Sequence, residues 1–282
     1  GNVPSGPNLV TKDKAGQVSI CTKVGLVAPN TSSVKRVARA LLRPLAAAAK
    51  PVRDAVRGSG LTANRTVPLT PELVRSSLDN SLKRLGVDQV ALYALHNAKP
   101  EDMAREEIRR ALEDLLAAGK VRAVGVTGVA AATIAVTSHS GRVLDHTGAI
   151  GNGPDVGLHH SATDDSDLYS VVQFAQPSSD SPETGLIQDA AARGMGCVTH
   201  SVFGALHELK ARLAADPALA RRTTDAGFAD AASLLLARAR AANPRGVVLA
   251  SMASESHLRA NLAALHRPNL AEALRLMGDV GL

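Results

Sequence analysis

An α/β fold of consecutive strand–helix pairs is what this sequence predicts, and three observations between residues 70 and 128 predict it. ALYALH is a short apolar run suited to a parallel strand buried on both faces. Segments with helical apolar spacing lie on either side of it. A second apolar run, VRAVGV, then finishes on a polar turn at Thr127. Units of this kind pack as consecutive βα pairs, and in barrels built from them chemistry sits where the strands end.

The helix before ALYALH carries Thr70 at the N-cap, Pro71 at the first helical position and Gly86 just past the end. Val74, Leu78, Leu82 and Leu85 recur on one face. The helix after it is expected to start near Pro100, to turn Ile108, Leu112, Leu115 and Leu116 inward, and to stop at Gly119. Further along, six apolar segments each finish on a polar group: VSICTK on Lys23, ALYALH on His96, VRAVGV on Thr127, SVVQ on Gln173, GCVTHS on Ser201 and VVLAS on Ser251. Together they predict a polar ring at one end of a parallel sheet.

A chain of 282 residues is long enough for one barrel or two ordinary domains. No Pro/Gly/Ser-rich linker divides it, and apolar runs recur from end to end, which favours a single domain over 1–282. A hydrophobic fraction of 45% is ample for a core, while aromatic residues are only 2%, so alanine and leucine must fill most of it. No apolar run approaches the ~20 residues that span a bilayer, and no signal peptide opens the chain. Cys21 and Cys197 are expected on two strands of the core as reduced thiols, which favours the cytoplasm. No Cys/His spacing matches a metal site, and the adjacent His159 and His160 read as loop residues.

The net charge of +6 and pI near 9.6 raise the question of nucleic acid. Basic residues gather at Lys35, Arg36, Arg39, Arg43, Lys50, Arg53, Arg57 and Arg65, with Asp54 the one acid among them. A single-sign patch attracts phosphates. The block has no interleaved aromatics for base stacking and belongs to no nucleic-acid module. Residues 26–69 therefore read as a basic loop and helix insertion over the sheet's polar end.

SLKRLGVDQVALYALHN followed by ALEDLLAAGKVRAVGVTG resembles the aldo-keto reductases. SICTKVG, SVVQFAQ, AAARGMGCVTHSVFGAL and VVLASMASESHLRANLAAL agree in the same order. The likeness covers most of the chain and is weak at 26–69 and 131–168, the latter longer than the family usually needs between strands. It implies a (β/α)8 TIM-barrel fold, of which six strands are recognisable and the first two are not. It also implies reduction of an aldehyde or ketone of modest size by hydride transfer from a nicotinamide cofactor, NADP(H) in preference to NAD(H).

By the same resemblance, Lys23 and His96 match the lysine and histidine of the family's catalytic tetrad. Such chemistry needs donors and a proton for the alkoxide that develops at the carbonyl. The tetrad's aspartate and tyrosine have no counterpart here. They are expected upstream of Gly1, because the opening resembles the segment that follows the tyrosine. Tyr93 is mid-strand and Tyr169 precedes a later strand, so neither replaces it. Thr127 and Gln173 match residues that hold the nicotinamide amide, with Gly128 where an asparagine is expected. Ser201, Phe203 and Gly204 match the pyrophosphate loop, and Ser251, Ser254, His257 and Asn261 the adenosine-phosphate segment. For Ser254, capping of the last long helix is the competing reading. An open six-stranded sheet exposes its edges, so the 131–168 segment or a second subunit is expected to cover them. The alternative function is a catalytically inactive relative that keeps the barrel for binding, regulation or scaffolding.

Overall fold

The computed structural model describes residues 18–27, 65–138, 168–178, 181, 183–252, 254–266 and 269–278. Among them the elements run β1 (Cys21–Val24), β2 (Leu26–Val27), β3 (Arg65–Thr66), α1 (Pro71–Leu85), β4 (Val90–Leu95), α2 (Pro100–Ala104), α3 (Glu106–Ala117), β5 (Val121–Thr127), α4 (Val129–Ser138), β6 (Tyr169–Ala175), α5 (Glu183–Ala192), β7 (Gly196–His200), α6 (Leu206–Ala215), α7 (Pro217–Asp225), α8 (Ala231–Ala242), β8 (Val247–Val248), α9 (Glu255–Leu265) and α10 (Leu270–Met277). Six of the strands form one parallel sheet in the order β1-β4-β5-β6-β7-β8. This is the α/β arrangement that the sequence predicts, a (β/α) barrel with six of its strands.

α1 begins and ends where its capping residues place it. Thr70 accepts a hydrogen bond from the Leu73 amide, and Gly86 takes the left-handed conformation that lets its amide reach the Leu82 carbonyl. Val74, Leu78 and Leu82 are buried, and every residue of β4 is buried, as both-face burial requires. The next helix departs from expectation: it breaks at Arg105 into α2 and α3. Arg105 adopts an extended backbone, from which its guanidinium donates to the Leu69 carbonyl and pairs with Asp102 and Glu107.

Alternation along each strand sorts side chains onto two faces. The outer set, including Val24, Tyr93, Leu95, Val124, Val126, Val172, Phe174 and Cys197, packs with Leu78, Ile108 and Leu112 of the helices into the main core. The inner set, Leu92, Ala123, Val171 and Val198, forms a smaller apolar cluster. Register keeps the two sets apart, with Leu92 opposite Ala123 and Gly125 opposite Val171. Gly125 is required there, since a Cβ would stand 2.6 Å from the Val171 carbonyl oxygen.

Cys21 is exposed rather than buried, while Cys197 lies in the core. Pairing with Leu92 puts Cys21 on the inner face, and β1 is an edge of the sheet. No further strand covers it among the described residues. β8 is likewise shorter than VVLAS, because an edge strand with Val247 and Leu249 about half exposed pairs with β7 over two residues. The 26–69 segment is not all loop and helix: β2 and β3 pair antiparallel at its two ends, Leu26 opposite Thr66. The 131–168 segment opens within α4. Residues 28–64 and 139–167, with His159, His160 and the basic block up to Arg57, lie outside the described residues.

Gly125→Ala is expected to lower the unfolding free energy by about 3 kcal/mol, because the added methyl meets backbone that cannot rotate away. Urea denaturation followed by circular dichroism measures it, and a change within ~0.5 kcal/mol would contradict the stated register.

Candidate active site

The C-terminal ends of the strands are where the sheet becomes polar. Continuing the inner alternation past Leu92 and Ala94 puts His96 on the inner face, and the ladder aligns Thr127 with Gln173 and Ala175 with His200. Lys23 pairs with Ala94 and joins the same face. Lys23, His96, Thr127, Gln173 and His200 therefore stand above an apolar floor of Leu92, Ala123, Val171 and Val198. The small Ala94, Gly125 and Gly196 leave room beside Lys23.

Electrostatics show that these groups face one another. Burial pushes the Lys23 ammonium below its ordinary value, with Cys21 pulling the other way. Burial lowers His96 as well, followed by the charge of Lys23 and then that of His200. His200 is lowered by burial and then by Lys23. Lys23 and His200 sit four ladder steps apart, about 19 Å along a flat sheet, a range at which salt screens exposed charges. The influence of Lys23 on His200 fits a sheet that curls so that both look into one concavity.

The backbone turns sharply at this rim. Gly25, Asn97, Gly128 and Ser201, each within two residues of a strand end, all have positive φ. Two of them, Asn97 and Ser201, pay the left-handed penalty of a non-glycine residue, and each directly follows a histidine. The Asn97 amide donates to Thr127 Oγ1 at 2.9 Å, and Gly128 donates to the Gln173 carbonyl at 2.8 Å. His200 Nδ1 and Ser201 Oγ are 2.9 Å apart. Such clustering of strain is a mark of functional sites.

Several placements differ from the sequence reading. Gln173 lies two residues inside β6 rather than at its end, and β7 ends at His200, one residue before Ser201. Ser201 and Gly204 close a tight turn, with the Gly204 amide bonded to the Ser201 carbonyl, while Phe203 packs between two apolar clusters behind it. Ser251 is exposed three residues beyond β8. Ser254 caps α9 by accepting from the His257 amide, His257 is exposed, and Asn261 on the same helix is buried. Asn261 Nδ2 has no hydrogen-bond partner among the described residues, and Gln176 Oε1 and Thr199 Oγ1 are in the same position.

Tyr93 and Tyr169 take structural positions. The Tyr93 hydroxyl donates to the Val74 carbonyl at 2.8 Å, and burial holds the phenol well above its ordinary range. Tyr169 points at the Met103 carbonyl at 3.5 Å and is pushed up to about 12 by burial. Sequence reasoning missed His200. The signal was its even spacing from Val198 within GCVTH, which turns both residues to one face. It also missed that the Asn97 carboxamide oxygen sits 3.4 Å from where a Cβ of residue 128 would be, close to the position at which an asparagine was expected. Among the described residues no group of three or more His, Cys, Asp or Glu is placed to hold a metal, and no helix is long and apolar enough to cross a membrane.

A parallel β/α sheet with its polar side chains collected at the C-terminal ends of the strands defines a barrel-type site protein. The pattern defining the aldo/keto reductase family matches residues 8–274, and the chain belongs to that family. A 6-dehydroglucose reductase from Novosphingobium aromaticivorans is 34% identical over 107 residues, covering 36% of this chain and 34% of the relative. The aldo-keto reductase yakc [NADP(+)] of Schizosaccharomyces pombe is 41% identical over 64 residues, 23% of this chain and 18% of the relative. The chain thus spans about a third or less of the length of these curated relatives. Among solved structures, an aldo-keto reductase from Pseudomonas aeruginosa superposes with a TM-score of 0.53 at 14% identity, over 94% of this chain and 71% of that one. An aldo/keto reductase from Klebsiella pneumoniae in complex with NADP and acetate gives 0.51 at 21%, over 74% and 66%. These superpositions establish the fold.

Unfolded imidazoles titrate near 6.5, and His96 and His200 titrate lower in the fold. Between the lowered values and 6.5 the unfolded chain binds more protons, so their contribution to stability is complete above pH 6.5 and is lost as pH falls below it. Replacing Lys23 with Met is expected to raise the midpoints of both rings, read from their imidazole proton resonances. Midpoints that ignore Lys23 would contradict a shared concavity.

Proposed function

We propose that this chain is a single barrel domain acting as an NAD(P)H-dependent oxidoreductase on small aldehydes or ketones. The observation that carries the proposal is the gathering of Lys23, His96, Thr127 and Gln173 on one concave face of an aldo/keto reductase sheet. His96 would donate to the carbonyl oxygen, and the Lys23 ammonium would stabilise negative charge developing there in a site where burial strengthens both effects. The apolar floor keeps water from beneath the reacting carbon. The likeness to a 6-dehydroglucose reductase of Novosphingobium supports a carbonyl substrate.

The residues fit a nicotinamide dinucleotide. Asn261 Nδ2 is a buried donor left over in the segment expected against adenosine. Thr127 Oγ1 accepts from the Asn97 amide and keeps its own proton to donate, beside Gln173 on the same face. Ser201 and Gly204 shape the turn expected along the pyrophosphate. When bound, the nicotinamide supplies or receives the hydride. NADP(H) is preferred over NAD(H) by the NADP named for the Schizosaccharomyces relative and held in the Klebsiella structure. Two free thiols on separate strands are in keeping with a reducing cytoplasm.

A second reading is a relative that keeps the barrel for binding, and Gly128, standing where the family resemblance expects an asparagine, favours it. Calorimetric titration with NADPH and then NADH is expected to give micromolar binding, tighter for NADPH. Asn261→Ala is expected to weaken it about tenfold, the loss of one hydrogen bond, without lowering the urea midpoint. A folded chain that binds neither cofactor would overturn the oxidoreductase reading.

A further inference from the structure

Three stretches of chain meet just beyond the ends of β1 and β4, and one guanidinium closes them into a ring. β1 is four residues long, and its ladder with β4 stops at Val24 opposite Leu95. Lys23 therefore stands one pair from the end. His96 lies beyond it, tied back by its amide to the Val24 carbonyl at 2.7 Å. Gly25 lies against that junction: a Cβ there would stand 3.1 Å from the His96 carbonyl oxygen and 3.6 Å from Leu69 Cδ2. Residues 67–69 return from β3 along the same rim. The Val67 amide donates to the Gly25 carbonyl at 3.0 Å, and the Leu69 side chain is buried in the main core. From the other side comes Arg105, whose guanidinium donates to the Leu69 carbonyl at 2.8 Å.

We propose that Arg105 is a positioning residue: by holding the Leu69 carbonyl it sets the spacing between Lys23 and His96 at the mouth of the sheet. The use made of that spacing, in carbonyl reduction, rests on the oxidoreductase reading above. Arg105 hydrogen-bonds to neither side chain. It acts through Leu69, then Gly25, then the backbone that carries Lys23 and His96.

This role asks more of Arg105 than a surface ion pair would. The helix breaks at Arg105, whose ψ of 116° is extended, between the buried Met103 and Ile108. Such a break orphans backbone groups on both sides of it, and an exposed ion pair contributes too little to hold it open. The Leu69 carbonyl precedes the N-cap Thr70, and the first helical acceptor of α1 is the Thr70 carbonyl, so Leu69 needs a partner from elsewhere. A charged donor makes the stronger bond. Glu107 grips the guanidinium from its far edge, 2.8 Å from Nε and 2.7 Å from Nη2, while Asp102 lies 3.7 Å from Nη1. Nη1 is thereby aimed at Leu69, a fork that lysine cannot reproduce in full. After burial, the charges that lower His96 are Lys23 from β1 and His200 from β7. Arg105 reaches that ring only through the backbone it holds.

The test is a double-mutant cycle on the full chain, with the His96 titration midpoint read from its imidazole proton resonances. Arg105→Met is expected to raise that midpoint by about 0.3 or more toward the ordinary value of about 6.5, because loosening the rim draws Lys23 away from the ring. In a Lys23→Met background, which lacks the charge through which the spacing is felt, the same substitution is expected to move it by less than about 0.1. Arg105→Lys keeps a donor for the Leu69 carbonyl and is expected to restore roughly half of the difference. In steady-state kinetics with NADPH and DL-glyceraldehyde, Arg105→Met is expected to lower kcat about tenfold. Its calorimetric affinity for NADPH is expected to stay within about threefold of wild type. Should Arg105→Met fail to fold, Glu107→Gln loosens the far edge of the guanidinium and enters the same cycle, with a smaller shift of the same sign. A folded variant whose His96 midpoint stays at the wild-type value, or shifts equally with and without Lys23, would overturn the proposal. A wild-type chain that turns over no carbonyl overturns the oxidoreductase reading alone, and the titration cycle then decides the role of Arg105 by itself.

Discussion

Pairing of Lys23 with Ala94, Thr127 with Gln173 and Ala175 with His200 in the parallel ladder sets the character of the whole polar end. A slip of one residue in any strand would turn its inner set outward. The lysine or a histidine would then enter the apolar layer now filled by Tyr93, Val124 and Phe174, where an unpaired charge is expensive. Register is held from below by close contacts rather than by ion pairs. Gly125 admits the Val171 carbonyl, and Leu92, Ala123, Val171 and Val198 meet across the inner face. The exposed pairs Arg75–Asp114 and Lys120–Asp79 join α1 to α3 and its following turn, but such surface pairs contribute at most about 1 kcal/mol.

Curling turns a row of strand ends into a site. On a flat sheet Lys23 and His200 would belong to opposite margins, each solvated separately. Brought together over an apolar floor, both titrate below their usual values, Lys23 through burial and His200 through burial and then the charge of Lys23. A concavity with a lysine and two imidazoles favours a substrate atom that gathers negative charge, as a carbonyl oxygen does when hydride reaches its carbon. The strained turns at Asn97 and Ser201 hold the two histidine-bearing ends in place and spend a little stability on fixed geometry.

Much of this was legible in the sequence, for identifiable physical reasons. Thr70, Pro71 and Gly86 act within a few residues of themselves, so α1 could be read from caps and spacing. ALYALH could be read because a strand covered on both faces is apolar throughout. Lys23, His96 and Thr127 fall at or beside strand ends as read. The break at Arg105 was hidden because it depends on a carbonyl 36 residues away, at Leu69. Exposure of Cys21 depends on which strands flank β1, and no local pattern carries that. His200 was concealed behind Ser201, and only the register against β6 shows that the histidine, not the serine, ends the strand.

The most direct test of a shared concavity is chemical cross-linking between positions 23 and 200. Lys23→Cys and His200→Cys would be combined in a background carrying Cys21→Ser and Cys197→Ala, then treated with a short dimaleimide. The account predicts a rapid intramolecular cross-link in the folded chain that disappears in urea. Efficient labelling of both thiols by monofunctional maleimide with no cross-link in the folded chain would contradict it, because the strand ends would then stand apart as on a flat sheet.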